Sequence, residues 1–212
     1  MTAPSRRVFV VDDDPSVRKG VERLLRSAGY AVETFASAEQ FLANRGDQRD
    51  PACLVLDVRM PGATGLDLQE RLLEAGSALA VVFITGHGDI PMSVRAVKRG
   101  AVDFLAKPFQ DTELLDAVAQ ALAKSGVDRA AQDEIDSIAR RLETLTARER
   151  EVLALVVTGM LNKQIAAALG TTEKTVKVHR GLVMEKMQAG SLAELVQLAS
   201  RIGITPSHKS SS

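Results

Sequence analysis

The sequence is poor in the features that mark disulfide-stabilised, secreted and membrane-spanning proteins. It contains a single cysteine, Cys53, so no disulfide can form within the chain. No apolar run approaches the roughly 20 residues that a transmembrane helix needs, and the opening residues MTAPSRRVFVVDDD lack the apolar core of a signal peptide. We therefore expect a cytoplasmic protein without redox chemistry, with Cys53 packed inside the apolar segment ACLVLD.

The composition is that of an ordinary globular protein with two domains. The chain has 212 residues, of which 45% are hydrophobic and 25% charged, whereas a single domain typically holds roughly 100–150 residues. The formal net charge is zero but unevenly distributed. Residues 1–123 hold 14 basic and 17 acidic side chains, residues 124–143 hold 4 and 5, and residues 144–212 hold 9 and 5. The C-terminal segment is therefore the candidate for binding a polyanion.

Residues 6–123 predict a doubly wound α/β domain. Five short β-branched or aliphatic runs predict strands at residues 8–11, 31–35, 52–56, 80–84 and 102–106. The segments between them carry apolar residues at the spacing of one helix face, and Asp14 is expected to cap the first helix. Strands that alternate with amphipathic helices are typical of a parallel sheet covered on both faces. We expect a flavodoxin-like fold with five parallel strands.

A polar segment, residues 124–143, follows this domain and is predicted to be a helical linker. Apolar residues recur across it at a 4-3-4-3 spacing, namely Ala131, Ile135, Ile138, Leu142 and Leu145. This seam fits either a helix docked on another part of the protein or a free coiled coil, and its length of only about two heptads favours docking. The tail, residues 204–212, has no apolar period and is predicted to be disordered.

Residues 144–203 predict a compact all-α domain of four helices. Capping boxes formed by Thr146 with Glu149 and by Ser191 with Glu194 would open its first and last helices.

The residues that stand out in the N-terminal domain all end or follow a predicted strand. Asp12 and Asp13 follow the first strand, Asp57 ends the third, Thr85 ends the fourth and Lys107 follows the fifth. Because the carboxyl ends of parallel strands share one edge of the sheet, we expect these side chains to converge. Clustered carboxylates repel one another unless a cation intervenes, and Mg²⁺ prefers such oxygen ligands. With positive charge from Lys107 and a hydrogen bond from Thr85, Asp57 is a feasible nucleophile toward a phosphoryl group.

These residues lie in motifs that resemble a CheY-like receiver domain, in particular its FixJ subgroup. The motifs are VVDDD at 10–14, VLDVRMPGATG at 55–65, FITGHGDI at 83–90 and DFLAKPF at 103–109. The resemblance implies that Asp57 is the phosphoacceptor. It also implies that Asp13, Asp57 and the backbone carbonyl of Arg59 ligate Mg²⁺, while Asp12 assists through a water molecule.

The same resemblance implies a conformational switch. Thr85 and Phe104 would be its two switch residues, and the Lys107–Pro108 peptide is expected to be cis. Phosphorylation adds roughly two negative charges to the pocket. These would draw Thr85 toward the phosphoryl oxygens and let Phe104 turn into the vacated space. The alternative for Phe104 is a core residue with no role in switching.

The C-terminal domain contains the pattern of a helix-turn-helix. A tight GTT turn joins two predicted helices, the second running from about Glu173 to Met187. One face of this helix would pack in the core through Val176, Val183 and Met187. Another face would enter a major groove, and it comprises Lys174, Lys177, Val178 and Gly181. Further contacts to phosphates are expected from Lys174, Thr175, Arg180, Lys186, Asn162 and Lys163.

Taken alone, this basic face could equally be a solvated surface. The segment LTAREREVLALVVTGMLNKQIAAALGTTEKTVKVHRGLVMEKM, however, resembles a LuxR/NarL/GerE-type DNA-binding domain over about residues 142–203. Two residues depart from the pattern of that family. Gly181 replaces a larger polar residue, and Glu185 places an acid where a basic residue is usual.

The sequence therefore predicts a two-component response regulator and transcriptional activator. A sensor histidine kinase would phosphorylate Asp57, the receiver would form a homodimer, and the pair would bind double-stranded promoter DNA, with RNA polymerase as a further partner. One alternative is an enzyme such as a phosphatase that uses the acidic pocket on external substrates. Another is a regulator or adaptor that works independently of phosphorylation.

Overall fold

A computed structural model describes residues 6–45, 50–86 and 90–205, without the side chains of residues 90–93. It divides the chain into two compact units, residues 1–130 and 131–212. Of the predicted disordered tail, residues 206–212 lie outside the described part. No helix within the described ranges combines the length and apolar composition that crossing a bilayer would require.

The first unit is the predicted doubly wound α/β domain. Its strands are β1 (Arg7–Val11), β2 (Ala31–Phe35), β3 (Ala52–Asp57), β4 (Ala80–Thr85) and β5 (Asp103–Ala106). They form one parallel sheet in the order β2-β1-β3-β4-β5. The helices are α1 (Pro15–Ser27), α2 (Ala38–Asn44), α3 (Gly65–Glu74) and α4 (Ile90–Lys98), together with the N-terminal part of α5 (Asp111–Glu143). The strand order reverses beside β1, which places the ligand-binding crevice of such a fold between β1 and β3.

Alternation along the central strands builds two apolar layers. Phe9, Leu54 and Phe83 lie in one buried cluster on one side of the sheet, and Val10 and Cys53 lie in a second cluster on the other side. Every residue of β3 and β4 is buried, as expected for strands covered on both faces. Cys53 is packed as predicted, and burial raises the pKa of its thiol.

The second unit is all-helical. After the end of α5 it contains α6 (Ala147–Val156), α7 (Asn162–Ala168), α8 (Glu173–Lys186) and α9 (Leu192–Arg201). The capping box of Thr146 with Glu149 is present at α6. The capping box predicted at α9 forms only one of its two hydrogen bonds. Ser191 accepts from the backbone N–H of Glu194, but the Glu194 carboxylate accepts from Gly190 rather than from Ser191.

The C-terminal part of α5 packs within the second unit. Ile138 is 1% exposed and lies in the core cluster of this unit, with Leu142 packed against it. Arg141 donates to the backbone carbonyl of Met187, the residue that follows α8. The apolar seam is therefore docked over its C-terminal half, whereas Ile135 is 37% exposed.

Replacing Ile138 with Ala in the full chain should destabilise the second unit by about 2–5 kcal/mol, because a buried side chain would leave a cavity. The expected result is loss of native-state hydrogen-exchange protection in α6 to α9. Ile135→Ala, on the same helix but exposed, is the matched control and should change protection little. Equal protection in the two variants would show that α5 does not support this core.

Candidate functional site

The acidic cluster forms at the carboxyl edge of the sheet. Asp12 comes directly after β1 and Asp57 is the last residue of β3, and these two strands are neighbours in which Val11 pairs with Leu56. Asp13 joins them, and one carboxylate oxygen from each of the three lies within 4.8 Å of the others. Asp12 and Asp57 are buried, whereas Asp13 is exposed. The arrangement is therefore a partly exposed cluster of carboxylates that could hold a metal ion.

Lys107 lies against two of these carboxylates. Its Nζ donates to Asp12 Oδ2 at 2.6 Å and lies 3.5 Å from Asp57 Oδ1. The backbone N–H of Lys107 also donates to the carbonyl of Thr85 at 2.7 Å, which fixes where the lysine leaves the sheet edge. The Lys107–Pro108 peptide is cis.

The two buried carboxylates differ in how well they are satisfied. Asp12 Oδ1 accepts from the backbone N–H of Asp14 at 2.8 Å, and its Oδ2 accepts from Lys107. Asp57 Oδ1 is buried but has no hydrogen-bond partner among the described residues. Burial raises the pKa of Asp57, and the charges of Lys107 and Asp12 act on it in opposite directions. The unsatisfied oxygen is where a cation or an electrophile would find an acceptor.

Three further residues were predicted to belong to the pocket, and they differ in how deeply they are buried. Thr85 ends β4 and is 1% exposed. Phe104 lies in β5, half-buried, with its ring centroid 6.2 Å from that of Phe83. Arg59 has an exposed side chain and lies two residues after Asp57, in the loop that precedes α3.

Two residues that shape this pocket were not predicted from the sequence. Arg18, in the second turn of α1, donates to the backbone carbonyls of Asp12 and Asp13 at 2.6 and 3.2 Å. At Gly65, the first residue of α3, a Cβ atom would lie 2.2 Å from the backbone oxygen of Asp57. Gly65 ends the motif VLDVRMPGATG, and a glycine at that place is a signal for a close approach of the backbone. Nothing in the sequence indicated that Arg18 would contact the pocket.

In the second unit, α8 has the two faces that were predicted. Val176, Val183 and Met187 are fully buried. The four residues predicted to face DNA, Lys174, Lys177, Val178 and Gly181, are exposed. Val178 is 57% exposed, although it is apolar. An exposed apolar side chain beside Lys174 and Lys177 could contact base edges.

The other predicted DNA contacts lie at the start of α7 and within α8. Lys163 is exposed at the start of α7, and Arg180 donates to Asn162 Oδ1 at 2.8 Å, which joins α8 to α7. Thr175 lies in the first turn of α8, where its hydroxyl is 2.9 Å from that of Thr172.

Lys186 has a different environment from the one expected. Its Nζ donates to Glu149 Oε2 at 2.7 Å and to the backbone carbonyl of Thr144 at 3.3 Å. This hydrogen bond lowers the pKa of Glu149, a carboxyl whose side chain is only 3% exposed. Lys186 is thus engaged in an ion pair with Glu149 of α6, because that buried carboxylate needs a cation.

Comparison with known families accounts for both units. The response regulator receiver domain matches residues 8–119. The bacterial regulatory proteins of the luxR family match residues 143–199. The chain belongs to the response-regulator family.

Individual response regulators resemble this chain over nearly its whole length. Nodulation protein W of Bradyrhizobium diazoefficiens is 50% identical over 201 residues, which cover 95% of this chain and 88% of that protein. A structure of the response regulator StyR is 49% identical, covers 93% of this chain and 99% of that one, and has a TM-score of 0.77. Full-length FixJ from B. japonicum is 40% identical, covers 95% and 99%, and has a TM-score of 0.56.

This response regulator is therefore a transcription regulator that combines a receiver with a LuxR-type DNA-binding domain. Its receiver implies a sensor kinase as partner, and its C-terminal domain implies DNA as the ligand. The acidic cluster of Asp12, Asp13 and Asp57 is the part of the receiver that could bind a metal ion.

The raised pKa of Asp57 predicts a pH-dependent effect on stability. The fold disfavours the ionised carboxylate, so stability is lost as the pH rises from the ordinary carboxyl range through the raised pKa. In EDTA at about pH 7, Asp57→Asn should therefore raise the free energy of unfolding. The gain should shrink as the pH falls into the ordinary carboxyl range, because protonation of the native carboxyl removes the penalty for burying its charge.

Thermal unfolding followed by circular dichroism at several pH values would measure this difference. Asp13→Asn changes an exposed member of the same cluster and is the control, with a smaller effect expected. A destabilised Asp57→Asn variant at neutral pH would contradict the argument.

Proposed function

We propose that Asp57 accepts a phosphoryl group from a sensor histidine kinase and that this modification controls DNA binding by the C-terminal domain. The observation that carries the proposal is the asymmetry of the pocket. Asp12 has both carboxylate oxygens in hydrogen bonds, whereas Asp57 Oδ1 has none among the described residues. Asp57 is therefore the carboxylate with an oxygen available to attack phosphorus, and the bond between phosphorus and the histidine nitrogen of the kinase would break.

The donor set suits Mg²⁺. Asp12, Asp13 and Asp57 would hold the ion together with the backbone carbonyl of Arg59, since Mg²⁺ prefers hard oxygen ligands and leaves positions for phosphoryl oxygens. When bound, Mg²⁺ supplies positive charge that offsets the phosphoryl oxygens. Lys107 would add a second positive charge, because its ammonium already lies 3.5 Å from Asp57 Oδ1.

The transferred charge would act on Thr85 and Phe104. Thr85 is the last residue of β4, the strand beside β3. Asp57 of β3 pairs with Ile84 of β4, so Thr85 follows directly after the residue that pairs with the phosphorylated position. Phe104 lies on β5, which pairs with β4. A turn of Thr85 toward the phosphoryl oxygens would free space that Phe104 can enter, and this gives the receiver its two states.

The output would be dimerisation and promoter binding in the cytoplasm. We assign residues 6–123 to the receiver, 124–143 to a helical linker and 144–203 to the DNA-binding domain. A homodimer formed on phosphorylation would place two α8 helices on paired half-sites and raise affinity by linking two weak modules. RNA polymerase would be the further partner of an activator.

On DNA, Lys177 and Val178 would read base edges from the exposed face of α8. Contacts to phosphates would come from Lys174, Thr175, Arg180, Lys163 and Asn162. Lys186 would support α8 through Glu149 and reach DNA only if that ion pair opens.

Labelling by acetyl phosphate with Mg²⁺ tests the assignment of Asp57. Asp57→Asn should abolish labelling, because an amide cannot form the acyl phosphate. Asp14→Asn is a matched control in the same acidic run, since Asp14 is exposed and its side chain caps α1, a role that Asn also fills. It should retain labelling. Persistent labelling of the Asp57→Asn variant would reject Asp57 as the acceptor.

Gly181→Ala tests the surface of α8 by separating stability from binding. A Cβ at Gly181 would meet no atom of the described chain within 4 Å, so Ala should stabilise the helix by about 1 kcal/mol. The methyl group would instead face the DNA, and we expect binding to weaken by about 1–2 kcal/mol, roughly 5- to 30-fold in Kd at fixed salt.

Gly20→Ala provides the matched control for this experiment. Gly20 is an exposed glycine inside α1, and a Cβ there also meets nothing in the described structure. Its replacement should stabilise the receiver to a similar degree and leave DNA affinity unchanged. Unaltered affinity in the Gly181→Ala variant would mean that this face of α8 does not lie close to DNA.

A further inference from the structure

A buried amide on α3 holds the last turn of α4. The side chain of Gln69 is 2% exposed, and its Nε2 donates to the backbone carbonyls of Ala96 and Arg99, at 3.3 Å each. Ala96 lies in α4 and belongs to the same core cluster as Leu56 and Phe83. Gln69 therefore holds α4 from inside the domain rather than at its surface.

The first turn of α3 is tied equally closely to the phosphoacceptor strand. The backbone N–H of Gly65 donates to the carbonyl of Val58 at 2.9 Å, and the close approach of Gly65 to the carbonyl of Asp57 leaves no room for a side chain. Gly65 and Gln69 are four residues apart, so they lie one turn apart on the same side of α3. This helix thus connects the backbone at Asp57 with the end of α4.

Half of the Gln69 amide is unsatisfied. Its Oε1 atom is buried and has no hydrogen-bond partner within the part of the chain whose side chains the structure describes. An unmet buried acceptor costs stability, and an apolar side chain of similar volume would avoid that cost. The amide is thus better suited to a domain with two arrangements of α4 than to one with a single arrangement.

We propose that Gln69 is a positioning residue for α4 in the phosphorylation switch. In one arrangement Nε2 holds the carbonyls of Ala96 and Arg99, and in the other Oε1 gains a donor as α4 shifts. The inference rests on the proposed function, since it assumes that phosphorylation of Asp57 rearranges the region between Thr85 and Phe104. Helix α4 lies in the chain between these two residues.

Gln69→Met in the full chain tests this role, because Met keeps the length of the side chain and removes both polar atoms. Two quantities are measured: labelling by acetyl phosphate with Mg²⁺, and the ratio of DNA affinities with and without acetyl phosphate. The DNA is a fragment selected in vitro by the unmodified protein. We expect normal labelling, an unchanged or higher unfolding temperature, and a ratio reduced at least about 5-fold.

Glu70→Gln is the matched control on the neighbouring position. It removes the exposed Arg99–Glu70 ion pair, which joins the same two regions at 3.4 Å but lies in water and is expected to contribute little. Its affinity ratio should stay close to that of the unmodified protein.

The outcomes separate this inference from the function on which it rests. An unmodified protein that is not labelled would reject the proposed function and this inference with it. Normal labelling with an unchanged affinity ratio in Gln69→Met would overturn the role of Gln69 alone. Failure of both Gln69→Met and Gln69→Leu to fold would also overturn it, since the amide would then be a requirement of the fold.

Discussion

The contact of the Lys107 ammonium with two buried carboxylates is the interaction on which the receiver pocket depends. Three carboxylates at one sheet edge repel one another, and in the described structure Lys107 is the cation that lies among them. Its two distances are unequal, 2.6 Å to Asp12 and 3.5 Å to Asp57. One carboxylate is therefore satisfied by the protein, while the other keeps an oxygen for chemistry. If the ammonium lay equally close to both carboxylates, this contact would not distinguish Asp12 from Asp57, and neither would stand out as the nucleophile.

Much of the fold and of the pocket could be predicted because both follow from strand ends. A run such as ACLVL must be buried on both faces, and this requires a parallel sheet whose carboxyl ends share an edge. Once that edge is known, Asp12, Asp57, Thr85 and Lys107 have to meet, whatever the details of the helices. The same logic holds for α8, where a period of 3.6 residues separates Val176 and Val183 from the exposed lysines.

Contacts that depend on how two helices pack against each other could not be predicted. The ion pair of Lys186 with Glu149 spans 37 residues, and the contact of Gln69 with Ala96 spans 27. Neither follows from local periodicity, because each depends on how two helices pack. The α9 cap failed for a smaller reason: a carboxylate at Glu194 can accept from either of two adjacent N–H groups, and loop geometry decides in favour of Gly190.

Among the features that reduce local stability in the described structure, three lie where a signal would pass. Among the described residues, Asp57 Oδ1 has no hydrogen bond and only the ammonium of Lys107 at 3.5 Å, and Gln69 Oε1 has no donor. Gly181 occupies an exposed position of α8 at a cost of about 1 kcal/mol relative to Ala. A sequence that only had to fold would be expected to avoid such positions, since unmet buried acceptors and a glycine inside a helix both cost stability. Local inconsistency of this kind is expected at functional sites. In the proposed function, these positions lie on the way from Asp57 through α3 to α4 in the receiver and on the helix that would face DNA in the second unit.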